Sequence, residues 1–213
     1  MSAASRRVLC AVGAASLLTG CAPRAGTLAG APAPERALPR VELPAGRQRV
    51  VFRWRYEEAE GFTARGEGVA RIAPPDSGRL DFFLEGGFGS GYAILVGDQL
   101  TTPGDLGRRL IPPGPMLWAA LGRVALPTSR DTSVTVAGDT LRAELRGSPT
   151  WRIMLVGSRL ARLDRIIDGR VVEWVTRDSS ALRYRHETER RSLSLDVTRT
   201  EAADAFPASI WRR

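Results

Sequence analysis

From residue 47 onward, apolar and polar positions alternate in short runs separated by Gly, Pro and Asp turn signals. That is the pattern of antiparallel strands with one buried face. The run 50–56 sets Phe52, Trp54 and Tyr56 on one side and Arg53 and Arg55 on the other. Further strands are expected over 62–72, 79–85, 92–96, 133–137, 140–145, 151–156, 160–167, 171–176, 181–186 and 192–198. Gly138-Asp139 and Asp168-Gly169 read as hairpin turns. The spacing predicts an all-β-dominated fold, an up-and-down antiparallel sheet of roughly 10–11 strands.

A sheet of that size exposes a whole apolar face unless it curls or is covered. One segment breaks the period of two and can cover it. The spacing predicts a helix over 115–126, with Pro115 in its first turn, Pro127 stopping it, and Leu117, Leu121 and Val124 on one stripe that Met116 and Trp118 widen. A short helix this apolar needs burial on most sides, and the mouth of the curled sheet offers it. It is either a lid over a cavity or a plug completing the core. Under the lid reading the cavity is lined by Phe52, Trp54, Phe82, Tyr92, Trp151 and Trp174, with Leu117, Trp118 and Leu121 on the lid. Composition does not separate the two readings, because cavity lining and packed core use the same residue types.

The first twenty residues carry Arg6 and Arg7 and then the apolar run 8–18, which reads as a secretory signal. A span needs about 20 apolar helical residues, so this run is too short to remain as one. It ends in Leu18-Thr19-Gly20-Cys21, which resembles the lipobox of bacterial lipoproteins. The resemblance implies cleavage before Cys21, acyl chains on that cysteine, and a membrane tether. Ala22, in place of Asp after the cysteine, implies the outer membrane. The alternative is an ordinary signal in which Cys21 falls by chance after small residues. Residues 22–46 contain five prolines and no apolar periodicity, so 21–46 reads as a lipidated cysteine followed by a flexible spacer, leaving 47–213 as one domain.

Composition narrows the chemistry. Cys10 and Cys21 are the only cysteines, so the processed chain has no thiol for a disulfide or a thiolate metal site. All 31 basic residues are Arg, which excludes a P-loop lysine, a Schiff-base lysine and a Ser-Lys dyad. The formal net charge is +8, or +6 once Arg6 and Arg7 leave with the signal. A positive surface suits anionic lipid or glycan, or is simply a solvated strand face. An exported chain meets little nucleic acid. The single histidine, His186, lacks partners for a metal, and Ser90 lacks the first glycine of a nucleophile elbow. Glu57, Glu58 and Glu60 sit at a hairpin end and Asp164 and Asp168 flank a turn, with nothing to single out a glycosidase pair. The expectation is a binding protein rather than an enzyme, needing no cofactor.

The order of elements now carries a resemblance. A lipobox, a spacer, strands leading into Glu85-Gly86-Gly87-Phe88-Gly89-Ser90-Gly91, a lid helix after a fifth strand, and about six more strands resemble the LolA/LolB family of periplasmic lipoprotein carriers and receptors, LolB most of all. The resemblance implies a curled half-barrel whose apolar cavity accepts lipoprotein acyl chains or another amphiphile. It also implies a monomer on the outer membrane, facing the periplasm, with a periplasmic carrier protein as partner. Phe88 matches the apolar residue of the family's protruding loop and is expected to insert into the membrane; the alternative is that it folds back onto the sheet edge. The loop is richer in glycine than the family pattern, and the lid has no ligand motif beyond its apolarity. A structural or sensory envelope lipoprotein that binds a protein partner is the second reading.

Overall fold

The computed structural model describes residues 22–87, 89–127, 129 and 131–212. The predicted alternation is realised strand by strand. In β2 (Arg47–Glu58), after a two-residue β1 (Ala31–Pro32), the side chains of Phe52, Trp54 and Tyr56 are buried while Arg53 and Arg55 are exposed. It is followed by β3 (Thr63–Ala73), β4 (Ser77–Leu84), β5 (Ser90–Val96) and β6 (Gln99–Thr101). Two helices come next, α1 (Gly104–Leu110) and α2 (Gly114–Leu121). The second half is a meander of β7 (Thr132–Ala137), β8 (Thr140–Leu145), β9 (Thr150–Val156), β10 (Arg159–Ile167), β11 (Arg170–Arg177), β12 (Ala181–His186) and β13 (Arg191–Ala203), closed by a short 3-10 turn over Ala208–Trp211.

All thirteen strands form one antiparallel sheet in the order β1-β7-β8-β9-β10-β11-β12-β13-β2-β3-β4-β5-β6. The long pairing of β13 with β2 joins the two meanders, and β1 and β6 are the free edges. Register shifts at Leu160/Arg162, Arg165/Ile166 and Val197/Arg199 bend the strands, as extra residues in a ladder do, and the sheet curls into an open half-barrel. Because the chain crosses from the β6 edge to the β7 edge through α1 and α2, the helices lie over the concave side, where α2 joins the inward residues in one core.

All eleven expected strands are present, and β1 and β6 are too short for alternation to reveal. Helix α2 is shorter than the predicted 115–126. Gly122 adopts φ 98°, its N–H bonds the carbonyl of Ala119, and the N–H of Arg123 bonds that of Trp118, which closes the helix five residues early. A left-handed glycine stop outweighs an apolar stripe that continues to Val124.

The larger departure is 22–46, expected as a flexible spacer. Ala22, Ala33, Val41 and Leu43 are buried. The segment runs along the sheet as a strap: the Ala25 N–H donates to the carbonyl of Gly169, the Val171 N–H to that of Pro23, each at 2.9 Å, and β1 pairs with β7. Near its end the Val124 N–H donates to Val41. The segment has too little apolar area to fold alone. It is held by backbone groups that the sheet edge and the β10–β11 turn leave unpaired.

Candidate apolar-ligand site

Helix α2 is a plug. Its residues 116–121 are all buried, and the Trp118 indole N–H donates to the carbonyl of Gly97 at 2.8 Å, with the Arg123 guanidinium 4.9 Å from the ring centroid. Pro115 starts the helix at a position where a missing N–H costs nothing.

Two cavities lie at opposite ends of the barrel. The first, of about 270 Å³, lies under α1: Trp54, Ala64, Phe82 and Leu84 line it from the sheet, Leu110 and Ile111 from the helix end, and Phe62, Ser90 and Gly91 from the rim. The second, of about 520 Å³, opens at the other end, between the strap, the start of β2 and the ends of β11 and β13. A cavity of about 620 Å³ on the convex face lies between Arg53, Arg55, Arg65, Glu67, Glu85 and Asp196, where charges of both signs meet, as Arg65 does with Glu85.

Polar contacts hold the α1 end over the first cavity. Arg109 pairs with Glu58 at 2.6 Å, while its carbonyl accepts from Arg191 at 2.8 Å and from the Tyr56 hydroxyl at 3.4 Å. The Tyr56 hydroxyl also bonds Glu58. Burial, then the hydrogen bond and negative charge of Glu58, push the Tyr56 phenol far above its ordinary range, so it stays a proton donor. Arg191 Nε lies 3.0 Å from the Glu189 carboxylate, so this arginine joins the Arg109 carbonyl to a second acidic group. Below this cluster Glu173, fully buried on β11, pairs with Arg165 and accepts the Tyr184 hydroxyl at 2.8 Å. Burial, then Glu173, likewise raise the Tyr184 phenol.

The expected site residues divide. Trp54 and Phe82 line the first cavity and Phe52 the second; Phe82 lies edge-on to both other rings, 5.6 Å between centroids. Leu117, Trp118 and Leu121 are buried in α2, and Trp151 is half-buried against the core. Tyr92 borders the first cavity, but its ring lies on the convex face, 5.1 Å beneath the Arg79 guanidinium. Trp174 also lies on the convex face. Its indole N–H donates to Glu187 at 2.7 Å, and Arg162 stacks on it at 4.9 Å. Val171 and Val172 made the parity of this strand ambiguous, and the tryptophan suggested the wrong face. The true inward set is Val171, Glu173 and Val175. Cys21 and Phe88 lie outside the described residues, although Gly86, Gly87 and Gly89 around Phe88 all have positive φ, a loop that suits glycine.

Sequence reasoning missed α1, the Arg109 cluster and Glu173. It also missed Gly66 and Gly68, which stand opposite Trp54 and Phe52. A glycine pair inside a strand was the available signal for a close approach. Among the described residues no group of three or more His, Cys, Asp or Glu is arranged to hold a metal, and no helix is long and apolar enough to cross a membrane.

Comparison with solved structures bears on this geometry. A LolA superfamily protein from Nitrosomonas europaea superimposes with a TM-score of 0.54 over 81% of this chain and 92% of its own, at 11% identity. The fold is LolA-like. A domain provisionally assigned to outer membrane lipoprotein sorting, from Vibrio parahaemolyticus, matches with a TM-score of 0.47 and 6% identity over 78% of this chain and 89% of its own. No protein-family model matches the sequence, and no curated protein does.

Proposed function

We propose that this protein is a membrane-tethered acceptor of acyl chains, which it holds in the concave side of the half-barrel and passes to the outer membrane. The observation that carries this reading is the apolar cavity under α1, walled by Trp54, Phe82, Leu84, Leu110 and Ile111. Its cover is held largely by polar contacts around Arg109. The Arg109 side of its ion pair with the largely buried Glu58 is open to solvent, and pairs so exposed contribute only about 0–1 kcal/mol, which lets the contact break and re-form. Helix α2 could leave only by exposing six buried residues. The gate is therefore α1, and α2 is the fixed floor, a change from the lid expected at 115–126.

Small-molecule cavities commonly measure about 300–1,000 Å³, so 270 Å³ receives part of a chain with α1 closed and more as α1 lifts. Each methylene taken from water contributes about 0.8 kcal/mol. Transfer then needs no covalent step, only a cavity that holds the chain less tightly than the destination does. The LolA-like fold makes lipoprotein acyl chains the first cargo to test, with a periplasmic carrier as donor.

The tether we propose is acylated Cys21. The strap holds Ala22 at the β10–β11 turn, where its carbonyl accepts from Arg170 at 3.0 Å. That turn lies at the same end of the barrel as Phe62, which lines the first cavity.

The full chain carrying Cys21→Ser, which removes the acyl anchor, is expected to purify with bound amphiphile visible by native mass spectrometry and, once stripped, to bind a fluorescent fatty-acid probe. Protein that carries no ligand and ignores the probe would end this reading. The burial of residues 116–121 of α2 favours the second one, a structural or sensory envelope lipoprotein. It is recognised by stoichiometric protein crosslinks in the absence of lipid.

A further inference from the structure

The cavity at the end opposite Phe62 has a different chemistry. Its depth is apolar, with Val50, Phe52, Ile72, Leu182 and Leu195 among its walls. Its mouth carries Arg159, at the start of β10, and Arg177, at the end of β11. Arg159 is exposed. Arg177 is half-buried beneath the end of α2, where one N–H donates to the carbonyl of Ala120 at 2.6 Å. A guanidinium has five donors, and among the described residues this is the one hydrogen bond Arg177 makes.

The acidic groups lining this mouth are committed elsewhere. Glu42 faces Arg123 at 3.7 Å. The Asp178 carboxylate accepts the N–H groups of Ser180 and Ala181, each at 2.7 Å. Among the described residues, neither Arg159 nor Arg177 has a carboxylate within ion-pair distance. Burial, followed by the positive charge of Arg159, lowers the proton affinity of Arg177, which the charge of Asp178 offsets in part. Two like charges at the mouth of an apolar cavity oppose each other until an anion sits between them.

We propose that this mouth binds the anionic head of a single-chain amphiphile, a carboxylate or a phosphate monoester, between Arg159 and Arg177, with the acyl chain running inward along Phe52 and Leu195. This rests on the acyl-binding reading above and adds a head-group preference at a second, distinct opening. Arg177 alone could serve only as a cation at the C-terminal end of α2. Arg159 has no such role, and the test turns on it.

Binding of palmitate, palmitoyl lysophosphatidate and the neutral monopalmitoylglycerol is measured by calorimetry on the full chain carrying Cys21→Ser, at mildly alkaline pH and low salt. A charge-assisted contact is worth about tenfold in affinity. At least one anionic probe is expected to bind about tenfold tighter than the neutral one, and which of the two leads tells carboxylate from phosphate. Arg159→Gln is expected to remove most of that preference, leaving the neutral probe's affinity and the thermal midpoint unchanged, and added salt is expected to act in the same direction. If all three probes bind alike, or if Arg159→Gln keeps the preference, the head-group site is overturned while acyl binding stands. If no probe binds, both fall.

Discussion

Gly68 shows how closely the concave face is built. A Cβ at this position would lie 2.4 Å from the Phe52 ring and 2.7 Å from the carbonyl oxygen of Asp81, so a rigid aromatic and a backbone group would both have to move. Gly68→Ala is expected to destabilise the protein by about 1–3 kcal/mol in urea denaturation, against the usual gain of replacing a strand glycine. His186 provides a pH test. Its side chain is largely buried with Nε2 3.3 Å from Glu189, and burial lowers its proton affinity below that of a free imidazole despite that carboxylate. The unfolded chain therefore binds the proton more readily than the folded one. The His186 contribution is fully present above about pH 6.5 and is lost as pH falls through the folded-state pKa. His186→Gln is expected to flatten that limb of the stability–pH curve; a variant with the wild-type slope would refute the assignment.

At the level of elements, the two helices have opposite roles, and substitutions separate them. Leu121→Glu places a carboxylate in the packed core, a change that costs several kcal/mol and is expected to unfold the domain. Glu58→Gln removes the ion pair to Arg109 while leaving an amide oxygen to accept from the Tyr56 hydroxyl, and is expected to raise amide exchange over 104–110 while the thermal midpoint shifts little. An intact fold in Leu121→Glu with ligand lost would restore α2 as the gate. The strands and the existence of α2 were legible because burial on one face leaves a period in the sequence, as 50–56 and 181–186 show. Helix α1 left no such trace, with Gly104 and Gly107 interrupting a stretch of only seven residues. The strap left none either, since backbone pairing to Gly169, Val134 and Val171 depends on strands more than 90 residues away and not on its own side chains. The cavities were legible only as a list of apolar residues, which cannot say which neighbours meet. The paired arginines of the second mouth come from strands that alternation alone does not bring together.

For the whole molecule, the strap decides how an acylated Cys21 would orient the barrel. A free spacer of about 25 residues would let the domain wander roughly 25–30 Å from its anchor. With Ala22 and Pro23 tied to Arg170 and Val171, Cys21 is one residue from the sheet, a reach of about 3.5 Å. The bilayer should then lie against the rim that carries Phe62, Ile167 and the glycine-rich loop, leaving the Arg159 and Arg177 mouth on the far side. Ile167 at the near end and Val156 at the far end are both exposed, and a chain cut before Cys21 would have no other thiol. Nitroxide labels on Ile167→Cys and Val156→Cys, in lipidated protein reconstituted into vesicles, can therefore be compared directly. The label at 167 is expected to be relaxed more strongly by lipid-soluble oxygen, and the label at 156 by an aqueous paramagnetic reagent. Equal aqueous access at both sites would mean that the strap detaches on the membrane and the domain stands off on a tether. The apolar opening under α1 would then have no fixed path to the bilayer, and delivery would depend on diffusion of the tethered domain.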